Sequence, residues 1–240
     1  MPRKNSRRGS YTNSLPRHLL DLYRLLFRRY GPQHWWPGDS PFEVIVGAIL
    51  TQSAAWSNVE KAIANLKQAG FLSPSALRQA PLNLLAGLIY SSGYYNAKAA
   101  KLKAFVEHLG AHYQDDLSKL FDQEVEPLRE ELLSIHGIGE ETADSIILYA
   151  ANKPIFVIDA YTRRIIDRLG GAPELRRYVD YQSLFHNNLP HDAQLFNEYH
   201  ALFVRHAKEA CRKAPLCGKC VLSPICPTGK RSLEASNSHR

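Results

Sequence analysis

The stretch Leu132 to Tyr149, Leu-Leu-Ser-Ile-His-Gly-Ile-Gly-Glu-Glu-Thr-Ala-Asp-Ser-Ile-Ile-Leu-Tyr, constrains the chain more than any other. An apolar helical pattern runs into Gly137-Ile138-Gly139 and a second helix begins at once, which predicts two helices joined by a tight turn. Glycine turns through conformations closed to other residues, and the N–H groups at a helix start lack intrahelical partners. Such a start suits a phosphate, and a backbone contact is indifferent to base sequence, as a protein that scans DNA requires. A plain αα-hairpin without a ligand fits the same residues.

The surrounding sequence reads as helix after helix. Leu19, Leu20, Leu22, Tyr23, Leu25, Leu26 and Phe27 recur at helical spacing up to Gly31-Pro32, and Pro41 to Leu50 is almost wholly apolar, as a central buried helix would be. Helical segments follow over Asn58–Ala69, Ser73–Gln79, Pro81–Ile89, Ala97–Leu109, Leu117–Phe121 and Val125–Ile135, separated by Gly, Pro, Ser and Asn. The short run Ile155-Phe156-Val157-Ile158 reads as an extended connector, so the class is all-α. With 45% hydrophobic and 22% charged residues in 240, the chain is long enough for a sizeable core and is neither disordered nor collagen-like. No apolar run reaches membrane-helix length and no apolar segment follows the basic start, so a soluble cytoplasmic protein is expected, nucleoid-associated in a prokaryote. Lys+Arg 30 against Asp+Glu 23 leaves a net charge of +7, which favours a polyanionic partner. The polar ends, residues 1–14 and 228–240, read as disordered tails, the first of them basic.

All four cysteines fall in Cys211-x5-Cys217-x2-Cys220-x5-Cys226. A disulfide framework would scatter cysteines through the fold and need an oxidising compartment, so metal ligation is favoured. Zinc and a [4Fe-4S] cluster both suit four closely spaced thiolates. Asp159, between an apolar run and a helix start, could activate a water or stabilise developing positive charge on a sugar, and could equally be an N-cap.

Together, the glycine hairpin, Val157-x-Asp159-x-Tyr161-x-x-Arg164 and the four terminal cysteines resemble the endonuclease III superfamily of DNA glycosylases over residues 15 to 227. The resemblance implies two helical domains flanking a cleft: a six-helix domain over 38–153, and a second domain that joins 15–37 to 154–227 and carries an iron–sulfur loop. It implies a monomer acting on double-stranded DNA with a damaged base. Asp159 would be the catalytic residue, and Gly137, Ile138, Gly139, Thr142 and Arg163 would contact DNA. Cys211, Cys217, Cys220 and Cys226 would ligate a [4Fe-4S] cluster, although many relatives place six residues between the first two cysteines where this chain has five. Lys208, Arg212, Lys213 and Lys219 would stand near phosphates.

Members that also cleave the strand carry a lysine two residues after the second hairpin glycine. Here Glu141 stands there, and a carboxylate cannot form a Schiff base, so a monofunctional enzyme without strong AP-lyase activity is expected. Lys98, Lys101 and Lys103 lie elsewhere in the sequence. Glu141 in a first helical turn is also favourable on dipole grounds alone. Trp35-Trp36-Pro37, then Leu50-Thr51-Gln52 and Trp56, look like the 3-methyladenine DNA glycosylase III branch, whose best-known form lacks the cluster. Electron-rich rings favour a cationic, alkylated purine, and the same rings could simply be core. Trp35, Trp36, Trp56, Gln52 and Glu141 are thus the candidate base-binding residues. Gly93-Tyr94-Tyr95-Asn96-Ala97-Lys98 resembles the superfamily's duplex wedge, with Tyr94 or Tyr95 inserted and Asn96 or Lys98 on the backbone. Two other readings stand beside this one: a glycosylase for oxidised pyrimidines or mismatched or deaminated bases, and a non-catalytic damage-binding protein.

Overall fold

The computed structural model describes residues 15–170 and 175–237, and the basic 1–14 segment lies outside them. Among the described residues there is no strand, and no helix is long and apolar enough to cross a membrane. The helices are α1 (Leu15–Tyr30), α2 (Pro41–Leu50), α3 (Trp56–Gln68), α4 (Pro74–Gln79), α5 (Leu82–Leu88), α6 (Tyr95–Tyr113), α7 (Leu117–Phe121), α8 (Val125–Ser134), α9 (Glu140–Ser145), α10 (Ala160–Arg168), α11 (Tyr178–His186), α12 (Ala193–Glu209) and α13 (Pro227–Asn237). Among the described residues they form two compact units, one of residues 34–157 and 192–197, the other of residues 15–33, 158–170, 175–191 and 198–237.

The first unit is built around α2. Ser40 caps it by accepting from the Glu43 N–H at 3.2 Å, Pro41 presets the first turn, and every residue from Phe42 to Leu50 is buried. Full burial of side chains such as Ile45, Ile49 and Leu50 contributes about 1.5–3 kcal/mol each, which explains why an almost unbroken apolar run forms the centre and not an amphipathic face. The one acid in α2, Glu43, is buried but paired with Lys67 at 2.8 Å. Trp35 to Pro37 and residues 154–157 belong to this unit and not, as the resemblance implied, to the cysteine-bearing one. Residues 192–197 join it as well, because Phe196 packs edge-on against Phe156 with ring centroids 5.4 Å apart.

In the second unit Leu19, Leu22 and Leu26 of α1 are buried at helical spacing, while Phe27 is exposed. Tyr199 of α12 stands edge-on to Tyr23 at 5.3 Å and donates its hydroxyl to the Leu19 carbonyl at 2.8 Å, satisfying a phenol that is fully buried. The end of the chain departs from expectation. In place of a disordered tail from residue 228, α13 runs to Asn237. Pro227 opens it, the Thr228 hydroxyl donates to the Arg168 carbonyl at 3.1 Å, and Gly229 comes so near Ser223 that a Cβ would lie 2.9 Å from its Cα. Tertiary anchoring, which polarity does not reveal, orders this helix.

Candidate functional site

The hairpin forms as the sequence predicts. Helix α8 ends at Ser134, Ile138 N–H donates to Ile135 O at 3.1 Å, and Gly139 starts α9, its carbonyl accepting from Ala143 N–H at 2.9 Å. Gly137 has a φ of +85°, and a Cβ there would lie 2.7 Å from Lys101 Cδ and closer still to Cγ. The turn therefore needs glycine both for its conformation and for the lysine stem laid across it. Lys101 donates its ammonium to Gln52 Oε1, and Gln52 Nε2 donates to Gly137 O at 3.1 Å and Thr142 Oγ1 at 2.9 Å. Sequence spacing placed Lys101 away from the hairpin; the fold lays it there as a brace.

Gln52, expected near the base, and Thr142, expected on DNA, thus have their side chains committed to each other, and Thr142 is buried. The Ile138 side chain is buried too, so only its backbone could serve a phosphate. Glu140 and Glu141 occupy the first turn of α9, and Arg129 reaches Glu140 at 3.5 Å while donating from Nε to the fully buried Asp144 at 2.7 Å. Glu141 itself is exposed.

Lys98 is a clear correction. It is 2% exposed, and its ammonium donates to the carbonyls of Leu50 at 2.8 Å and Ser92 at 2.6 Å, so it ties the end of α2 to the turn before α6 instead of reaching phosphate. Burial lowers its pKa to about 8. Lys103 is similarly occupied with the Arg78 carbonyl. Tyr94 is 76% exposed at a left-handed φ of 46°, with Asn96 exposed beside it, whereas Tyr95 rests on Tyr90 at 4.8 Å. Of the two tyrosines, Tyr94 has the geometry of a wedge.

The three tryptophans converge. Trp35 lies 5.1 Å from Trp36 and 5.0 Å from Trp56, and Trp36 stands edge-on to Trp56 at 5.3 Å. Gly47 admits the Trp36 indole to α2, where a Cβ would be 3.0 Å from Nε1. Tyr149, which the sequence reading missed, joins them with its ring 5.3 Å from Trp36. It lies in a π-helical turn, Ile146–Ala150, an arrangement frequent at functional sites.

Asp159 caps α10, accepting from Thr162 N–H at 2.7 Å. His200 of α12, another residue missed in sequence, places Nε2 3.7 Å from Asp159 Oδ2. Burial pushes the Asp159 pKa up, but His200 and the Thr162 N–H outweigh it, and the net shift is downward. The carboxylate is thus held ionised in a buried place, as an electrostatic or general-base role requires. Arg163, expected on DNA, stacks on Tyr181 at 5.0 Å and Tyr178 at 5.8 Å and donates to the Arg176 carbonyl at 3.2 Å.

The cysteines are all free thiols in one wrapped loop; Cys211, Cys217 and Cys226 are buried and Cys220 half-buried. Burial pushes the Cys220 and Cys226 thiols up, and the neighbouring cysteines push the same way. Donors surround the sulfurs: Arg168 Nη1–H reaches Cys211 Sγ at 3.2 Å and Gly229 N–H reaches Cys226 Sγ at 3.4 Å. Among the described residues, no three His, Cys, Asp or Glu side chains are gathered at the spacing of one metal ion. Four thiols in one wrapped loop, with N–H donors already on two of the sulfurs, are a donor set that fits a [4Fe-4S] cluster. Lys208, Arg212, Lys213 and Lys219 are exposed around this loop.

Residues 46–190 match the HhH-GPD superfamily base excision DNA repair protein family. A Methanocaldococcus jannaschii protein with the provisional name DNA repair glycosylase is 44% identical over 207 residues, 85% of this chain and 94% of its own. The crystal structure of H. pylori 3-methyladenine DNA glycosylase (MagIII), bound to 1,N6-ethenoadenine, is similar at 28% identity with a TM-score of 0.67, over 83% of this chain and 97% of that one. A non-covalent endonuclease III–DNA complex shares the fold at 19% identity and a TM-score of 0.78, over 91% of this chain and 98% of that one. With the hairpin, the capping aspartate and these relatives on one chain, the protein belongs to the HhH-GPD superfamily and is a base excision DNA repair glycosylase.

Proposed function

We propose that the protein is a monofunctional glycosylase that hydrolyses the N-glycosidic bond of an alkylated purine such as 3-methyladenine in duplex DNA, acting as a monomer and leaving an abasic site uncleaved. Glu141 carries this reading. The hairpin position that serves a lyase as an amine holds a carboxylate, and Lys101, whose stem lies across the turn, is engaged with Gln52. The tryptophan cluster and the 28% identity to an enzyme named for 3-methyladenine support the substrate class.

In this mechanism Tyr94 enters the duplex and the extruded base stacks on the aromatic rings, where a cation gains about 0.5–2 kcal/mol over a neutral base. An N-alkylated purine already carries positive charge and departs as a neutral base, so no acid need protonate it. Asp159 stabilises the positive charge developing on the sugar and accepts a proton from the water whose oxygen bonds to C1′ as the bond to the base breaks. Backbone N–H groups of the hairpin hold a phosphate, and exposed cations such as Lys208 and Arg212 add sequence-independent attraction. Cys211, Cys217, Cys220 and Cys226 would hold a [4Fe-4S] cluster, which would supply structure to the loop and so hold its basic neighbours toward phosphates.

The test is a panel of defined duplexes containing 3-methyladenine, thymine glycol, uracil or a mismatched thymine, scored separately for base release and strand cleavage. Release of 3-methyladenine without a nick is expected. Preferred excision of a pyrimidine, or an imine trapped by borohydride, refutes this reading, and binding with no release from any duplex favours a non-catalytic sensor.

A further inference from the structure

The cysteine loop is bordered by a hydrogen-bond chain that base release does not use. Tyr30, the last residue of α1, places its hydroxyl 3.0 Å from His206 Nδ1, and His206 Nε2 lies 3.5 Å from Cys220 Sγ. His206 is 1% exposed, so the imidazole depends on these partners and not on water. On another side Arg168 donates to Cys211 Sγ at 3.2 Å, and its guanidinium is held in place by the carbonyls of Arg212 at 2.6 Å and Lys213 at 2.8 Å. The fork is therefore fixed before any group binds.

Ligation settles the direction of each bond. A thiolate can only accept, so the proton between His206 and Cys220 belongs to Nε2. A neutral imidazole carries one such proton, which leaves Nδ1 as the acceptor of the Tyr30 O–H. The phenol thus selects the tautomer that points an N–H at the sulfur, as an outer partner does for a metal-bound histidine.

Resting on the reading of these cysteines as cluster ligands, we propose that Tyr30, His206 and Arg168 are positioning residues for the cluster that set its reduction potential: His206 and Arg168 deliver N–H donors to the Cys220 and Cys211 sulfurs, and Tyr30 acts through His206. Donors on ligand sulfur withdraw negative charge, favour the more reduced cluster and raise its potential. Tyr30 reaches the sulfur at one remove, through His206, so it separates hydrogen-bond orientation from simple packing.

The experiment measures iron content, visible absorption and reduction potential of anaerobically purified full-length protein, without DNA, for wild type, Tyr30→Phe, His206→Leu, His206→Gln and Arg168→Met. Tyr30→Phe should keep its iron and shift to lower potential, His206→Leu and Arg168→Met should shift the same way, and His206→Gln should recover part of the loss through its amide N–H. Tyr30→Phe is decisive where the other variants lose the cluster. An iron-loaded Tyr30→Phe protein with the wild-type potential overturns the inference. Wild type isolated without iron or with zinc overturns the cluster reading itself.

Discussion

Replacing Gly137 with alanine tests the hairpin and its lysine brace together. Two costs are predicted, and they separate. At a φ of +85° an alanine pays about 1–2 kcal/mol for a left-handed conformation whatever its surroundings. Its Cβ also meets the stem of Lys101, 2.7 Å from Cδ and nearer to Cγ, so the lysine must leave and surrender its charged hydrogen bond to Gln52 Oε1, worth about 1.5–3 kcal/mol. The single variant should therefore lose about 2.5–5 kcal/mol, and at about 2–4 °C per kcal/mol for a chain of this size its Tm should fall by roughly 5–20 °C. In a Lys101→Ala background the stem is already gone, and Gly137→Ala should cost only the conformational part. Chemical denaturation of the four proteins of this cycle should give a coupling energy of about 1.5–3 kcal/mol. Additive losses, with coupling below about 0.5 kcal/mol, would refute the brace and leave Gly137 as an ordinary turn glycine.

Lys98→Met should leave the salt dependence of DNA binding unchanged while lowering stability, because the Leu50 and Ser92 carbonyls lose their donor at about 1–3 kcal/mol each, partly offset by release of a buried ammonium. A log–log salt slope shallower by about 0.9 at unchanged Tm would instead return Lys98 to a phosphate. Asp159→Asn keeps an equally good cap for α10, so the helix should persist while base release falls by about 10²–10⁴-fold; undiminished release would make the aspartate a cap only. Asp159 has a depressed pKa, so its stabilising contribution is complete above the ordinary value of 3.8 and is lost as pH falls through the lower native value. The stability gap between wild type and Asp159→Asn, followed by denaturation against pH, should stay level from neutral pH to about 4 and close below it. Cys217→Ser, measured by iron analysis and visible absorption, should abolish the proposed cluster, and retention of wild-type iron would remove Cys217 from the ligand set.

Periodicity exposed what is local. The buried stripe of Leu19, Leu22 and Leu26, the apolar run of α2 and the glycine turn all follow from short-range rules that leave their mark within a few residues. Asp159 was legible as a cap for the same reason, since an extended run followed by a helix start needs one. Lys98 and Thr142 were not. Each carries a polar group of the kind that seeks DNA, and each is claimed by a partner 48 or 90 residues away, at Leu50 and Gln52. Tyr149 escaped because its helix widens before it, which turns the ring toward Trp36 in a way no 3.6-residue pattern anticipates. His200 and His206 look in sequence like two polar positions on one amphipathic helix, and only the fold sets one beside Asp159 and the other beside Cys220. The tail beyond residue 227 is polar enough to be solvated, and its anchors at Arg168 and Ser223 lie on other elements.

The wide turn at Ile146–Ala150 has a bearing on how the chain tolerates length change. A ring closed between residues five apart holds one residue more than its α-helical counterpart, so this turn is a place where a residue can be stored or surrendered without breaking the helix. Removing one residue there would tighten the turn to an ordinary helix and shift the residues that close it by one helical position, about 100° around the axis. Tyr149 would swing away from Trp36. A single-codon deletion at this point thus resets where the Tyr149 ring stands against Trp36, which no side-chain replacement can do.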